Sequence, residues 1–291
     1  MKNLIIESEN LIALQKLLPD FEGKIDVIPI DPPYNTDISY IEYQDTIGDW
    51  SAFMRERLSL ACRLLSKKGV AFIHIDENEL INLVRLCADV FGAENIMTMV
   101  WKKTNELFDK NRREKPLESG VRRTHEYVLL CFKDRKNTVL QPIRQPYWNG
   151  NGFSEEEKPL ETVLDFLGTT SSAKDELYEL LGNRDIFSTP KPVKLIKEFV
   201  RSASDQNSIV LDFFAGSGTT GHAVMDLNKE DGGQRKFILV TNSENNICQR
   251  VTIPRIKAAI SKNGYSEEFE YCQITEGNHE SDCLNTSERL H

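Results

Sequence analysis

The sequence predicts an α/β fold in which a mostly parallel sheet carries its ligands at the carboxyl ends of the strands. Three apolar runs, at 25–30, 70–75 and 208–214, each lead into a polar or glycine-rich turn and then into a helical pattern. This alternation of short buried strands with helices is typical of a parallel sheet that is covered by helices. Because such sheets bind ligands beyond the carboxyl ends of their strands, the residues directly after these runs are the first candidates for a site.

The remaining elements follow from apolar spacing, caps and breakers. Asp49 can cap a helix that runs to about Ser66, and Asp76 can open another that runs to about Phe91. Residues 137–189 show the least regular pattern, with a clear helix only at 175–181. The other predicted elements are helices at 11–18, from about 192 to 201, at 219–229 and at 245–262, and strands at 96–101, 126–132 and 236–241.

The motif Asp-Pro-Pro-Tyr-Asn-Thr at 31–36 directly follows the first apolar run. Asp31 can accept one N–H of a planar exocyclic amine, the carbonyl of Pro32 can accept the other, and Tyr34 can lie flat on the ring that carries the amine. Proline fixes its own φ and restricts the residue before it, so Pro32 and Pro33 hold these acceptors in place. The motif predicts a preorganised site for an amino group, and an ordinary Asp-Pro turn is the alternative.

A second motif, at 208–221, runs from a strand through a Gly-x-Gly turn into a helix. Gly216 and Gly218 let the backbone turn sharply and approach a ligand, and the helix N-terminus can receive polar or anionic groups. A Gly-x-Gly turn alone is a weak signal for any particular cofactor.

The two motifs, in this order, resemble the beta group of amino-methyltransferases, which use S-adenosylmethionine to methylate an exocyclic nitrogen in DNA, usually N6 of adenine. The blocks DPPYNT, THEYVLLCFK, TPKPVKLIKEF and LDFFAGSGTTG look like those of the modification subunit of type III restriction systems. The likeness covers most of residues 1–260 and thins between about 137 and 183. It implies a circularly permuted Rossmann-like methyltransferase fold with helices on both faces of a mostly parallel sheet, plus a small irregular recognition region.

The resemblance also implies roles for individual residues. The residues expected to be catalytic are Asp31, Pro32, Pro33 and Tyr34, with Tyr34 stacked on a flipped base. Asp212 is expected near the ammonium of the cofactor, Glu244 or Asn242 near its ribose hydroxyls, and for Lys191 a solvated position in the first helical turn is the alternative. The residues expected to bind S-adenosylmethionine are Asp31, Thr189, Lys191, Pro192, Asp212, Phe213, Phe214, Ala215, Gly216, Ser217, Gly218, Thr219, Thr220, Asn242 and Glu244.

Basic residues are concentrated in one segment of an acidic chain. The formal net charge is -9, yet residues 101–136 contain eleven Lys or Arg against six Asp or Glu. Because local potential attracts a phosphate backbone, this segment predicts a contact with double-stranded DNA, and a solvated, ion-paired helix face is the alternative. The residues expected to contact DNA are Asn35, Lys102, Lys103, Arg112, Arg113, Arg122 and Arg123.

These observations predict four regions. Residues 1–101 form the catalytic half of the methyltransferase domain, and 189–262 form its cofactor-binding half. Residues 102–188 form a basic, irregular target-recognition region that includes one core strand near 126–132. Residues 263–291, which are rich in acids and poor in aliphatics, form a flexible tail.

Composition limits what the chain can be with respect to membranes, cysteine chemistry and metal binding. No apolar run is long enough to span a bilayer, so we expect a cytoplasmic protein with no membrane partner. The six cysteines include no Cys-x-x-Cys pair and mostly fall in apolar patterns, which predicts free core thiols and no metal site.

Alternatives to adenine methylation remain open. Methylation of cytosine N4 is the nearest, although that chemistry more often shows Ser in place of Asp31. A non-catalytic DNA-recognition subunit of a methyltransferase complex is the alternative of another class, but such a chain would be expected to have lost Asp31 or the glycines. A homodimer and a restriction endonuclease subunit are the candidate protein partners.

Overall fold

The computed structural model describes residues 1–36, 43–105 and 123–274. The strands of this part of the chain are β1 (Asn3–Glu7), β2 (Ile25–Ile30), β3 (Leu65–Ile75), β4 (Ile96–Lys102), β5 (His125–Phe132), β6 (Ile143–Trp148), β7 (Phe153–Lys158), β8 (Val163–Leu164), β9 (Ile209–Asp212), β10 (Lys236–Thr241) and β11 (Phe269–Gln273). The α-helices are α1 (Asn10–Phe21), α2 (Trp50–Leu64), α3 (Leu80–Phe91), α4 (Thr170–Leu181), α5 (Val193–Ala203), α6 (Thr219–Asp231) and α7 (Ile253–Asn263).

Nine of these strands form one sheet in the order β11-β1-β10-β9-β2-β3-β5-β4-β8. The strands from β11 to β3 are all parallel, β5 is antiparallel to both of its neighbours, and β8 is parallel to β4. The mostly parallel sheet predicted from the sequence is therefore confirmed. Because β2 and β9 are parallel neighbours, the two motifs that follow them meet at one edge of the sheet.

Helices cover both faces of this sheet. α1, α2 and α3 contribute to one apolar core, which includes Leu14, and α5, α6 and α7 contribute to the other, which includes Phe199. Successive side chains of a strand point to opposite faces, so Val27 of β2 lies in the second core and Ile28 in the first. This two-sided burial explains why β2 has a continuous apolar sequence. None of the helices in the described ranges is long and apolar enough to cross a membrane.

The predicted helix start is correct at α2 and wrong at α3. The side chain of Asp49 accepts the backbone N–H of Ala52 at 2.9 Å, so Asp49 caps α2 as expected. Asp76 instead accepts the backbone N–H of Asn78 at 2.9 Å. This local turn delays the start of α3 to Leu80.

The segment 137–189 contains more structure than its sequence predicts. β6 and β7 form an antiparallel hairpin of their own, and β8 joins the main sheet beside β4. β7 contains the acidic run at 155–157, so its apolar alternation is too weak to predict a strand. α4 begins five residues earlier than predicted because Thr169 caps it and accepts the N–H of Ser172 at 3.2 Å.

The expectation of a flexible tail from residue 263 is wrong for its first part. β11 pairs with β1 in parallel and adds an edge strand to the sheet, and Cys272 on it is buried. Backbone hydrogen bonds to β1 hold this segment despite its acidic composition. Residues 275–291 lie outside the described residues.

Candidate functional site

Charged side chains surround Asp31, which directly follows β2. Its Oδ2 accepts from Nζ of Lys191 at 2.6 Å, and its Oδ1 accepts from the hydroxyl of Tyr34 at 2.6 Å. Glu126, the second residue of β5, lies with its Oε2 3.0 Å from that hydroxyl and accepts on Oε1 from Nζ of Lys103 at 3.1 Å. We call Asp31, Tyr34, Lys103, Glu126 and Lys191 the charged cluster.

Lys191 connects the two carboxylates of the charged cluster. Its Nζ lies 2.6 Å from Asp31 Oδ2, 3.3 Å from Glu126 Oε2 and 3.1 Å from the oxygen of Tyr34. These three partners match the three N–H donors of an ammonium group. Its side chain is only 8% exposed, so the alternative of a solvated lysine is wrong.

The pKa values in the charged cluster follow from burial and mutual attraction. Burial lowers the pKa of Lys191, but the carboxylates of Asp31 and Glu126 outweigh it and raise that pKa above its ordinary value. Burial raises the pKa of Glu126, but Lys191 and Lys103 outweigh it and bring that pKa to about 2. Burial raises the pKa of Asp31 while Lys191 opposes the rise. Burial and the two carboxylates raise the pKa of Tyr34, so its hydroxyl keeps the hydrogen that it donates.

Side chains outside the Asp-Pro-Pro-Tyr motif hold its backbone. The indole of Trp50 donates to the carbonyl of Pro33 at 2.8 Å, and Asp45 accepts the N–H of Tyr34 at 2.8 Å. Pro32 and Pro33 are buried. The carbonyl that accepts from the indole is that of Pro33. The predicted acceptor of the amine is the neighbouring carbonyl, that of Pro32.

Asn35 takes part in the same support. Its backbone φ is 60°, in the left-handed region that asparagine tolerates better than most residues. Its Nδ2 donates to Glu79 at 2.8 Å, and its Oδ1 accepts the N–H of Ile47 at 2.9 Å. Both ends of the amide therefore have internal partners, which hold the side chain of Asn35 in place.

Residues 215–219, which we call the glycine loop, lie between β9 and α6 and include Thr219, the first residue of α6. The φ angles of Gly216 and Gly218 are 46° and 78°, so the sharp turn predicted from these glycines is present. A Cβ at Gly216 would lie 3.0 Å from the ring of Phe187. The hydroxyl of Thr252 donates to the carbonyl of Gly216 at 2.7 Å and holds the turn from the side of α7.

Arg255 of α7 supports the glycine loop from within the protein. Its Nη1 donates to the hydroxyls of Ser217 at 2.9 Å and Thr219 at 2.7 Å. The guanidinium is fully buried, which lowers the pKa of Arg255 to about 10. The hydroxyl of Thr219 in turn donates to the carbonyl of Lys191 at 3.2 Å, so the loop contacts the segment that carries the central lysine of the charged cluster.

Asp212, the last residue of β9, is a buried carboxyl beside the glycine loop. Its Oδ2 accepts from the hydroxyl of Thr220 at 2.6 Å, and its Oδ1 accepts the N–H of Phe214 at 3.0 Å. Burial raises the pKa of Asp212 to about 7, against the opposing effect of these two hydrogen bonds. A nearby cation would favour its ionised form.

One cavity joins the two motifs. The predicted site residues that line it are Asp31, Pro33, Thr189, Lys191, Asp212, Phe213, Phe214, Ala215, Gly216, Ser217, Thr219, Thr220, Asn242 and Glu244. Pro32, Tyr34, Pro192 and Gly218 are not among its lining residues. Pro192 and Gly218 are instead the N-caps of α5 and α6. Beyond β10, Asn242 is exposed and Glu244 is half-buried.

Several residues of the site were not found from the sequence. The rings of Tyr43 and Phe187 stack with centroids 6.2 Å apart, and both line the cavity. Asn10 also lines it and donates to the carbonyl of Phe213 at 3.0 Å. The apolar run that precedes Asn10 could have indicated a further strand with its carboxyl end at the site. Glu126 lies near the start of a strand in the block THEYVLLCFK, which resembles the family, but it was not among the expected site residues.

The residues expected to contact DNA have varied positions. Lys102 ends β4 and is half-buried. Lys103 pairs with the buried Glu126 and belongs to the charged cluster, so the structure gives it a different partner from the expected phosphate. The half-exposed side chain of Arg123 pairs with Glu77. Three further arginines lie outside the described residues, namely Arg112, Arg113 and Arg122.

Comparison with known proteins identifies a family model that covers both motifs. The model N6_N4_Mtase, described as a DNA methylase, matches residues 25–275. That range contains the whole charged cluster and the whole glycine loop.

One relative and two solved structures are similar to this chain over most of its length. The Mod subunit of the type III restriction-modification enzyme StyLTI from Salmonella typhimurium is 28% identical over 82% of this chain, which spans about half of the relative's length (52%). The crystal structure of the M1.HpyAVI–SAM complex is 17% identical, with a TM-score of 0.54 over 88% of this chain and 98% of that chain. The cytosine-N4-specific PvuII DNA methyltransferase is 15% identical, with a TM-score of 0.55 over 92% and 95% of the two chains. At these identities the solved structures show a shared fold.

Proposed function

The chain belongs to the DNA methylase family, and from this premise we propose that it transfers a methyl group from S-adenosylmethionine to the exocyclic N6 amine of an adenine flipped out of duplex DNA. The observation that carries the proposal is the single cavity in which Asp31 and the glycine loop meet. The StyLTI relative is named as a modification subunit, and the M1.HpyAVI structure is a complex with S-adenosylmethionine, which supports both the activity and the cofactor.

The residues around the glycine loop fit S-adenosylmethionine. Gly216 leaves room where a side chain would meet Phe187, and Asp212 is a buried carboxyl suited to an ammonium group. Asn242 and Glu244 follow β10 at the same cavity, with oxygens that can accept from ribose hydroxyls. When bound, the cofactor would supply a methyl group on a positively charged sulfur, so the acceptor must be a nucleophile with an available lone pair.

We propose that the charged cluster orients that nucleophile. Asp31 accepts one N–H of the amine and the carbonyl of Pro32 accepts the other, which turns the nitrogen lone pair toward the methyl group. The ring of Tyr34 stacks on the flipped base. An aromatic amine is too weak an acid to lose a proton to a carboxylate beforehand, so its proton leaves late, to Asp31 or to water. Lys191 holds Asp31 in place through the 2.6 Å contact with Oδ2.

The target base is tested directly. The family model covers both N6 and N4 enzymes, and Asp31 in the first motif position favours adenine. Purified protein with labelled S-adenosylmethionine and unmethylated genomic DNA should yield N6-methyladenine on analysis of the nucleosides. N4-methylcytosine would replace the assigned base, and cofactor binding without any transfer would instead favour a non-catalytic subunit. Single-molecule sequencing of the product would give the target sequence.

We also propose the arrangement of regions and partners. Residues 1–101 and 189–262 form the two halves of the methyltransferase domain, which the adjacency of β2 and β9 supports. Residues 102–188, apart from the core strand near 126–132, read the target in double-stranded DNA. A second copy of this chain and a restriction endonuclease subunit are the proposed protein partners, and a genomic substrate would place the protein in the cytoplasm. Light scattering with and without DNA would test the homodimer.

A further inference from the structure

Both carboxylate oxygens of Asp31 already have a donor. Lys191 contacts Oδ2, and the hydroxyl of Tyr34 contacts Oδ1 at 2.6 Å. Each oxygen can accept a second hydrogen bond, so a target amine that approaches Asp31 shares an oxygen with one of these donors and competes with it for the charge on that oxygen. The hydroxyl is the weaker competitor, because the ammonium also gains the charge attraction of the carboxylate.

The hydroxyl of Tyr34 has a second acceptor within reach. Its oxygen lies 3.0 Å from Oε2 of Glu126 and 2.6 Å from Oδ1 of Asp31. A phenol has one hydrogen and can donate to only one of these oxygens at a time. Rotation about the C–O bond exchanges the two acceptors without movement of any other atom.

We propose that Glu126 is a positioning residue that receives the Tyr34 hydroxyl when Asp31 binds the target amine, so that Oδ1 of Asp31 becomes free to accept the amine N–H. This inference rests on the proposed function, since it assumes an amine substrate at Asp31. In the resting protein the hydroxyl occupies Oδ1, and in the complex with the base it donates to Glu126.

Glu126 has the properties that such an acceptor needs. It belongs to β5, where its backbone is paired with Trp101 of β4 in the interior of the sheet, so its position does not depend on a loop. Its side chain is 8% exposed, and Lys103 and Lys191 contact its two oxygens. Their positive charges keep it ionised, and an ionised carboxylate only accepts.

The test is a double-mutant cycle on the single-turnover rate of adenine methylation. Glu126→Gln removes the charged acceptor and keeps the shape of the side chain, whereas Tyr34→Phe removes the hydroxyl that competes for Asp31. We expect Glu126→Gln to lower the rate roughly tenfold in the wild-type background, as for a hydrogen bond to a charged group. In the Tyr34→Phe background the same substitution should lower the rate less than about threefold, because no hydroxyl then occupies Asp31.

Glu198→Gln is the matched control. Glu198 is a buried carboxylate of α5 that accepts from Arg201 and from the backbone of Arg144, away from the charged cluster. Glu198→Gln should change thermal stability. It should leave the methylation rate unchanged both in the wild-type background and in the Tyr34→Phe background. Cofactor affinity, measured by calorimetry, should stay within about twofold for Glu126→Gln, as expected for a residue that does not touch the glycine loop.

Equal rate losses from Glu126→Gln in the two backgrounds would overturn the inference, and so would the absence of any loss. If Glu126→Gln does not fold, Glu126→Asp withdraws the acceptor oxygen, keeps the charge, and should show the same difference between backgrounds. The proposed function fails separately, when the wild-type protein does not methylate adenine. If the wild-type protein methylates adenine and Glu126→Gln causes equal rate losses in the two backgrounds, this inference is rejected and the proposed function stands.

Discussion

The charged cluster and the glycine loop meet in one cavity but are built in different ways. The cluster draws its five side chains from four separate parts of the chain, and its contacts are between ionised or strongly polar groups. The glycine loop is one continuous segment whose shape comes from two left-handed glycines and from hydrogen bonds of Thr252 and Arg255. The proposed base side of the cavity thus depends on compensated charge, and the proposed cofactor side depends on backbone shape.

This difference has consequences for substitutions. In the charged cluster, removal of one group leaves its partner buried without compensation, so the effects reach stability as well as rate. In the glycine loop, added volume or strain should damage ligand binding first. Substitutions on the two sides of the cavity should therefore distinguish losses of stability and rate from losses of ligand binding.

Asp31→Ala should have the largest effect. Methyl transfer should fall to below a few per cent of the wild-type rate, because the amine loses its acceptor. Affinity for S-adenosylmethionine should remain within several-fold, since Asp31 acts mainly on the base. Labelled methyl transfer and calorimetry measure the two quantities. Transfer at more than a few per cent would remove Asp31 from its catalytic role.

Gly216→Val should remove cofactor affinity. The new Cβ would lie 3.0 Å from Phe187 at a φ of 46°, so the side chain must displace the ring or enter the cavity. Gly232→Val is the control, because Gly232 also has a left-handed φ, of 72°, but no atom within 4 Å of the added Cβ. Calorimetry should show that only the first variant fails to bind the cofactor. Unchanged binding by Gly216→Val would displace the proposed cofactor site.

Lys191→Met should destabilise the protein by about 3–5 kcal/mol, because the buried carboxylate of Glu126 and the partly buried carboxylate of Asp31 lose their shared cation. The repulsion raises their pKa values above those of the unfolded chain, so the variant keeps most stability at low pH and loses it as the pH rises through the raised values. Urea unfolding at several pH values measures this. Lys197→Met is the control on the neighbouring helix α5. The side chain of Lys197 is 19% exposed against 8% for Lys191, and its partner Asp226 is 36% exposed, so we expect about 1 kcal/mol or less.

Neutralisation of the four predicted DNA-binding arginines should weaken DNA binding in a salt-dependent manner. Arg112, Arg113, Arg122 and Arg123 replaced together by Gln should reduce the slope of log affinity against log salt by about 0.9 for each phosphate that the protein no longer neutralises. Exposed arginines of α2, Arg55 and Arg63, are the control and should leave the slope unchanged. An unchanged slope in the fourfold variant would mean that these arginines face solvent.

Asp212 should give cofactor binding a modest pH dependence. The pKa of Asp212 is about 7, raised from 3.8. The unliganded protein is therefore more stable at pH values below 3.8, and it loses this stability as the pH rises through 7. A bound ammonium group needs the ionised carboxylate. Affinity should therefore fall by up to roughly tenfold per pH unit below 7 and level off above it. Asp212→Asn should remove this dependence in calorimetry, and a wild-type affinity that does not vary with pH would exclude the pairing.

The sequence predicted much of the fold because its signals are local. The apolar runs of β2 and β9 and the cap at Asp49 each depend on a few neighbouring residues, and the structure contains all of them. The tail strand β11 and the hairpin strand β7 were missed for the complementary reason, since both carry acidic residues that weaken the apolar pattern. Only pairing with another strand reveals such segments.

The sequence by itself determined where the two motifs lie, because the Asp-Pro-Pro-Tyr and Gly-x-Gly turns are each contiguous and their backbone requirements are written in their own residues. Tertiary structure decided which side chains meet them. Lys191 reaches Asp31 across 160 positions and Glu126 reaches Tyr34 across 92, through a strand order that places β5 two strands from β2. Contacts at such separations depend on how the strands are arranged, and no local pattern encodes that arrangement.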